Sequence, residues 1–109
     1  MAQVQEAQGD IFLKLNKTKN VRRALKHYTR SYEIEPDNLQ LLLKMGKCYD
    51  SISEFDNSVD QYKRALQKEP TNTGIMFKLG WAYLRAGEKE NGLVWMRRSI
   101  GSGSTNIKN

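Results

Sequence analysis

One cysteine, one histidine and two prolines stand among the 109 residues of this chain, and each scarcity closes off a class of protein. With Cys48 alone there is no internal disulfide framework and no cysteine-rich metal site. His27 has no second histidine, and only Cys48, with which to share a zinc ion. No apolar run approaches membrane-spanning length. The N-terminus lacks the apolar stretch of a secretory signal, so the sequon Asn16-Lys17-Thr18 carries little weight. A reducing intracellular compartment, the cytoplasm by default, is the expectation. A phosphate-cradling glycine loop and a serine elbow are both missing, and the carboxylates are scattered without an acid–base pair. The chain therefore reads as non-enzymatic, with no cofactor expected.

What is present is ordinary for a globular protein: 39% hydrophobic residues and 28% charged ones. The length suits one domain. The net charge of +6 favours acidic partners without saying anything about fold.

The informative pattern is an anchor that occurs three times: Gly9-x-x-Phe12, Gly46-x-x-Tyr49 and Gly80-x-x-Tyr83. The last two copies are 34 residues apart, and so are Pro36 and Pro70. A period of that length predicts stacked helical hairpins. Leu42, Met45, Gly46, Tyr49 and Ile52 form one helical stripe, and Phe55, Ser58, Val59, Tyr62, Ala65 and Leu66 form the next, closed by Pro70. Asp37-Asn38 and Thr71-Asn72 follow the prolines and suit helix N-caps. Shifting by 34 gives Met76, Leu79, Gly80, Tyr83 and Ala86, then Gly92, Leu93, Met96, Ser99 and Ile100, with Gly87 at the turn. Lys89 replaces Phe55 in this unit, which predicts looser packing at its turn. In the first unit the second helix is clear from Val21, Ala24, Leu25, Tyr28, Tyr32 and Ile34. Its first helix admits two registers; anchoring on Gly9 places three extra residues in a turn over Asn16–Asn20 and is preferred. In each hairpin the anchor glycine lets the paired helix approach, against Ala24, Ser58 or Gly92.

These motifs resemble the tetratricopeptide repeat: Leu42…Met45-Gly46-x-x-Tyr49…Ser58-x-x-x-Tyr62-x-x-Ala65…Pro70 in the second unit, with looser copies on either side. The resemblance covers about residues 3–100. It implies an all-α, right-handed solenoid of three hairpins, about six antiparallel helices. The expected boundaries are one domain over 1–104, with repeats at about 2–36, 39–72 and 73–101, and a flexible Gly/Ser/Asn-rich tail at 102–109. It also implies a concave groove, lined by the first helix of each pair, that takes a peptide or helix of a partner protein. One subgroup of the family grips acidic chaperone tails with a five-residue carboxylate clamp. The corresponding places here hold Glu6, Asp10, Lys44, Gly74 and Lys78, of which only Lys78 is a near match, so a clamp-type co-chaperone is not expected.

The groove residues expected from helical spacing are Glu6, Asp10 and Leu13, then Leu43, Lys44 and Lys47, then Phe77, Lys78, Trp81, Leu84 and Arg85. Aromatics beside cations suit an apolar anchor with acidic neighbours. The competing reading has Phe77, Trp81 and Leu84 packing within the array. Lys17, Lys19, Arg22, Arg23, Lys26, His27 and Arg30 form a basic run on the outer helix 17–30, with no acidic interruption. Lys19, Arg22, Arg23, Lys26 and Arg30 could meet RNA or another acidic polymer, which is the alternative function; a solvated face is the plain reading. Gly101-Ser102-Gly103-Ser104 leaves no capping helix. Leu93, Trp95, Met96 and Ile100 at that end are expected to be partly uncovered and open to self-association or a docking partner.

Overall fold

The computed structural model describes the backbone of residues 2–104 and the side chains of residues 14–101. Helices α1 (Ala2–Ile34), α2 (Leu39–Ser51), α3 (Phe55–Lys68), α4 (Thr73–Arg85) and α5 (Lys89–Ser104) follow one another, and each packs on the next. No strand occurs among the described residues. The architecture is the expected all-α solenoid.

The 34-residue period is repeated in the hydrogen bonds as well as in the residues. Asn38 and Asn72 cap α2 and α4, their side-chain oxygens accepting from the Leu41 N–H at 3.2 Å and the Ile75 N–H at 3.0 Å. Each cap is steadied in turn, Asn38 donating to Glu35 at 3.3 Å and Asn72 to Glu69 at 2.8 Å. At the other end of both helices the chain turns through a residue of positive φ, Ser53 at 61° and Gly87 at 88°. The Glu54 N–H reaches back to the Tyr49 carbonyl and the Glu88 N–H to the Tyr83 carbonyl, both at 2.9 Å. With the Ser53→Asp50 and Gly87→Leu84 bonds, each 3.1 Å, this is the Schellman closure of a helix C-terminus.

The core runs as one cluster along the stack: Leu25, Leu42, Met45, Val59, Tyr62, Ala65, Leu66, Ile75, Met76, Leu79, Ala82 and Tyr83. Within each hairpin the anchor glycine is the point of closest approach. A Cβ on Gly46 would lie 2.6 Å from the Tyr62 ring, and one on Gly80 would lie 2.8 Å from Met96 Cγ and 2.9 Å from the Gly92 carbonyl oxygen. Ser58 and Gly92, the small residues expected opposite, are both buried. The α4–α5 pair thus meets backbone to backbone, although Lys89 at its turn is exposed.

Two expectations are corrected. The first concerns the hairpin turn at Asn16–Asn20. It is absent, because α1 is a single helix of 33 residues. That stretch holds neither proline nor glycine to stop a helix. The Thr18 hydroxyl donates to the Lys14 carbonyl at 3.1 Å, a bond made within the helix. The three extra residues are close to one helical turn of about 3.6, so the helix absorbs them without a break. The array is therefore two complete hairpins, α2–α3 and α4–α5, preceded by one long helix whose C-terminal half packs where the outer helix of the first repeat belongs. The second correction is at the other end. α5 continues through Gly101 to Ser104, three residues into the stretch assigned to the tail. Residues 105–109 lie outside the described residues.

Candidate protein-interaction surface

α4 has two apolar faces. Its Ile75, Met76, Leu79, Ala82 and Tyr83 are buried in the core. Phe77 and Trp81, one turn apart, remain 52% and 49% exposed. A helix this apolar all round usually has both faces covered. The repeat register places Phe77 opposite Leu43, Lys78 opposite Lys44 and Trp81 opposite Lys47, so α2 and α4 present equivalent positions on one side of the stack. Leu43 is half-buried against the core, whereas Lys44, Lys47 and Lys78 are exposed.

The other two expected groove residues on α4 have work inside the array. Leu84 is half-buried against α5, where a Cβ on Gly92 would meet its Cγ at 2.6 Å. Arg85 is exposed but lays its guanidinium 4.7 Å from the centre of the Phe55 ring. That contact bridges the end of one repeat to the turn of the one before, in the geometry of a cation–π pair. The side chains of Glu6, Asp10 and Leu13 lie outside the described residues.

Beside this surface lies a cleft of about 320 Å³ lined by Tyr28, Lys44, Lys47, Cys48 and Ser51. The Lys44 ammonium stands 5.9 Å from the centre of the Tyr28 ring. Burial pushes the Cys48 thiol up from its ordinary value, against a smaller pull from Lys47, so it is held as a thiol rather than a reactive thiolate. Sequence reading did not anticipate this cleft, which lies between α1 at Tyr28 and α2.

Lys19, Arg22, Arg23, Lys26 and Arg30 are all exposed on α1. Arg22 is already engaged, forming an ion pair with Glu54 at the α2–α3 turn. Its guanidinium holds the Glu54 carboxyl below the usual carboxylate range, helped by Asn57, which donates to the same group at 2.8 Å. At the far end, Leu93, Trp95 and Met96 are half-covered and Ile100 is 67% exposed. Trp95 carries the Arg98 guanidinium 4.7 Å above its ring and borders a second cleft of about 350 Å³ with Leu66, Pro70 and Leu79.

Hairpins stacked with a fixed period, glycine at each crossing and the core strung along the stack define a helical-repeat solenoid. A family model described as tetratricopeptide repeat matches residues 40–72, the α2–α3 hairpin through to Asn72, the cap of α4. The match marks the α2–α3 hairpin as a tetratricopeptide repeat, a unit that serves in general in protein–protein interaction. No curated protein matches it. Among solved structures it is similar to one described as the crystal structure of MamA protein, at TM-score 0.73 and 18% identity, covering 81% of this chain and 48% of that one. It is also similar to one described as MamA MSR-1 C2, at TM-score 0.72 and 19% identity, covering 88% of this chain and 56% of that one. The chain spans about half the length of these two neighbours, and the likeness is one of fold. No helix among the described residues is long and apolar enough to cross a membrane.

Proposed function

We propose that the chain is a non-enzymatic adaptor that binds a peptide or helix of a partner protein on the concave side formed by α2 and α4. The observation that carries this reading is the half-exposure of Phe77 and Trp81 on a helix whose opposite face is fully buried. The two aromatics offer rigid apolar area, and Lys44, Lys47 and Lys78 add positive charge at equivalent positions. The preferred ligand is a segment with a large apolar anchor and acidic neighbours. It is not the chaperone tail of the clamp subgroup, since Gly74 stands where that clamp needs a side chain. A reducing intracellular compartment suits the single unpaired Cys48.

The test is an affinity capture that compares wild type with Trp81→Ala and with Arg22→Glu/Arg23→Glu. Loss of a captured partner with Trp81→Ala alone, at unchanged helicity, supports the groove. Loss with the arginine variant alone transfers the function to the basic face of α1, where RNA or another acidic polymer is the ligand. Unfolding of Trp81→Ala makes Trp81 a core residue and ends the groove reading.

A further inference from the structure

The straight α1 leaves a repeat unfinished, and the missing piece is present in the same sequence. In both complete hairpins the anchor glycine sits against the residue 16 positions later, Gly46 on Tyr62 and Gly80 on Met96. In the first repeat the corresponding residue on the outer helix is Tyr28, equivalent to Tyr62 by the 34-residue period. Its anchor is Gly9, whose spacing to Phe12 copies Gly46 to Tyr49 and Gly80 to Tyr83. Gly9 and Tyr28 lie on one unbroken helix, 19 residues apart. At about 1.5 Å per residue that is roughly 28 Å, so they cannot meet within one chain. The place beside Tyr28 where a glycine-bearing helix would lie is the cleft lined by Tyr28, Lys44, Lys47, Cys48 and Ser51.

Charge is divided along α1 in the same way. Residues 2–13 carry Glu6 and Asp10 and no lysine or arginine, whereas residues 14–32 carry seven lysines and arginines and no carboxylate. A single straight helix leaves these halves apart. Two such helices running antiparallel set the acidic half of each against the basic half of the other, and against Lys44 and Lys47 in the cleft. A glycine inside an isolated helix also costs about 1 kcal/mol relative to alanine, which is understandable if another helix must come close there.

We propose that the first hairpin is completed in trans: residues 2–16 of a second copy lie antiparallel along the Tyr28 face of α1, in the cleft beside α2, with Gly9 of one chain over Tyr28 of the other. The exchange is reciprocal, giving a two-fold dimer in which each chain lends its first inner helix to its neighbour. The dimer supplies the first wall of the concave side, where it takes up Lys44 and Lys47, and leaves Phe77, Lys78 and Trp81 on α4 uncovered.

Light scattering on the full chain over a concentration series tests this. A mass of twice 12.6 kDa is expected for wild type. Gly9→Trp should raise the dimer dissociation constant roughly a hundredfold or more, because both symmetric contacts are overpacked. Glu6→Lys/Asp10→Lys should also weaken the dimer, and Lys44→Glu/Lys47→Glu in the same chain should restore it. Trp81→Ala should leave the mass unchanged, which separates this result from the groove reading. A wild-type monomer at high concentration overturns the proposal, whether α1 stays straight or folds back on itself. A dimer that survives Gly9→Trp overturns it equally, since it must be built on another surface.

Discussion

The ring of Tyr62 on α3 lies so close to Gly46 on α2 that a Cβ there would stand 2.6 Å from its Cε1. The same ring is fixed at its other end, where the hydroxyl donates to Asp50 Oδ2 at 2.8 Å. One buried side chain thus sets both the spacing of a hairpin and its alignment. Burial, first, and then the bond and charge of Asp50 push the Tyr62 hydroxyl well above its ordinary range, so it stays a donor throughout the physiological range.

Tyr62→Phe removes that donor while keeping the ring over Gly46. Asp50 Oδ1 is already buried without a partner, and Oδ2 would lose its donor. A loss of about 1–3 kcal/mol is expected, read from chemical denaturation. A variant as stable as wild type would show that water replaces the bond without cost.

Gly46→Ala and Gly80→Ala should both destabilise, and Gly80→Ala the more. A methyl on Gly46 meets a ring that can tilt, whereas one on Gly80 meets Met96 and the Gly92 carbonyl, a backbone atom that cannot move alone. Overpacking of about 1–3 kcal/mol opposes the gain in helix propensity of about 1 kcal/mol that alanine brings. A higher melting temperature for Gly80→Ala would contradict the close crossing of α4 and α5.

Ser53 and Gly87 occupy the same place in successive repeats and both have positive φ, but only one is a glycine. Ser53→Gly should therefore gain roughly 0.5–1 kcal/mol by relieving the left-handed strain, and Gly87→Ala should lose about as much. Nothing lies within 4 Å of a Cβ on Gly87, so the second effect is one of backbone alone. Thermal melts of the two variants should move in opposite directions.

The Arg22–Glu54 pair ties α1 to the α2–α3 turn and carries a pH signature. The folded state holds Glu54 below its unfolded range, so its contribution is present above the ordinary carboxylate value and is lost as pH falls through the lower folded value. Wild type should lose stability through that acidic window more steeply than Arg22→Ala. The difference should shrink in salt, because Arg22 is more than half exposed. Parallel pH profiles for the two proteins would show that the pair contributes nothing.

Much of the fold was legible because a 34-residue period repeats signals that are local. The asparagine caps, the prolines beyond α1 and α3 and the glycines at the crossings each act within a turn or two of chain. The exposed face of α2 and α4 was legible in part. Helical spacing put Phe77, Trp81 and the three lysines on an outward face, but it also put Leu84 there, which lies half-buried against Gly92. Spacing gives the direction of a side chain, and only the neighbouring helix decides whether that direction is covered. The Arg85–Phe55 contact joins residues 30 apart in different elements and left no local signal.

By itself the sequence determined the class of fold and the residues at which the helices of the two complete hairpins touch. Those are matters of periodicity and of what proline, glycine and asparagine do to the nearby backbone. Only the tertiary structure decided the fate of the first repeat. Its residues follow the pattern of a hairpin, but a turn needs a stop signal, and Asn16–Asn20 contains polar residues that a helix can accommodate. α1 therefore runs on without a break, and the anchor at Gly9 stays on the same helix as Tyr28, 19 residues away.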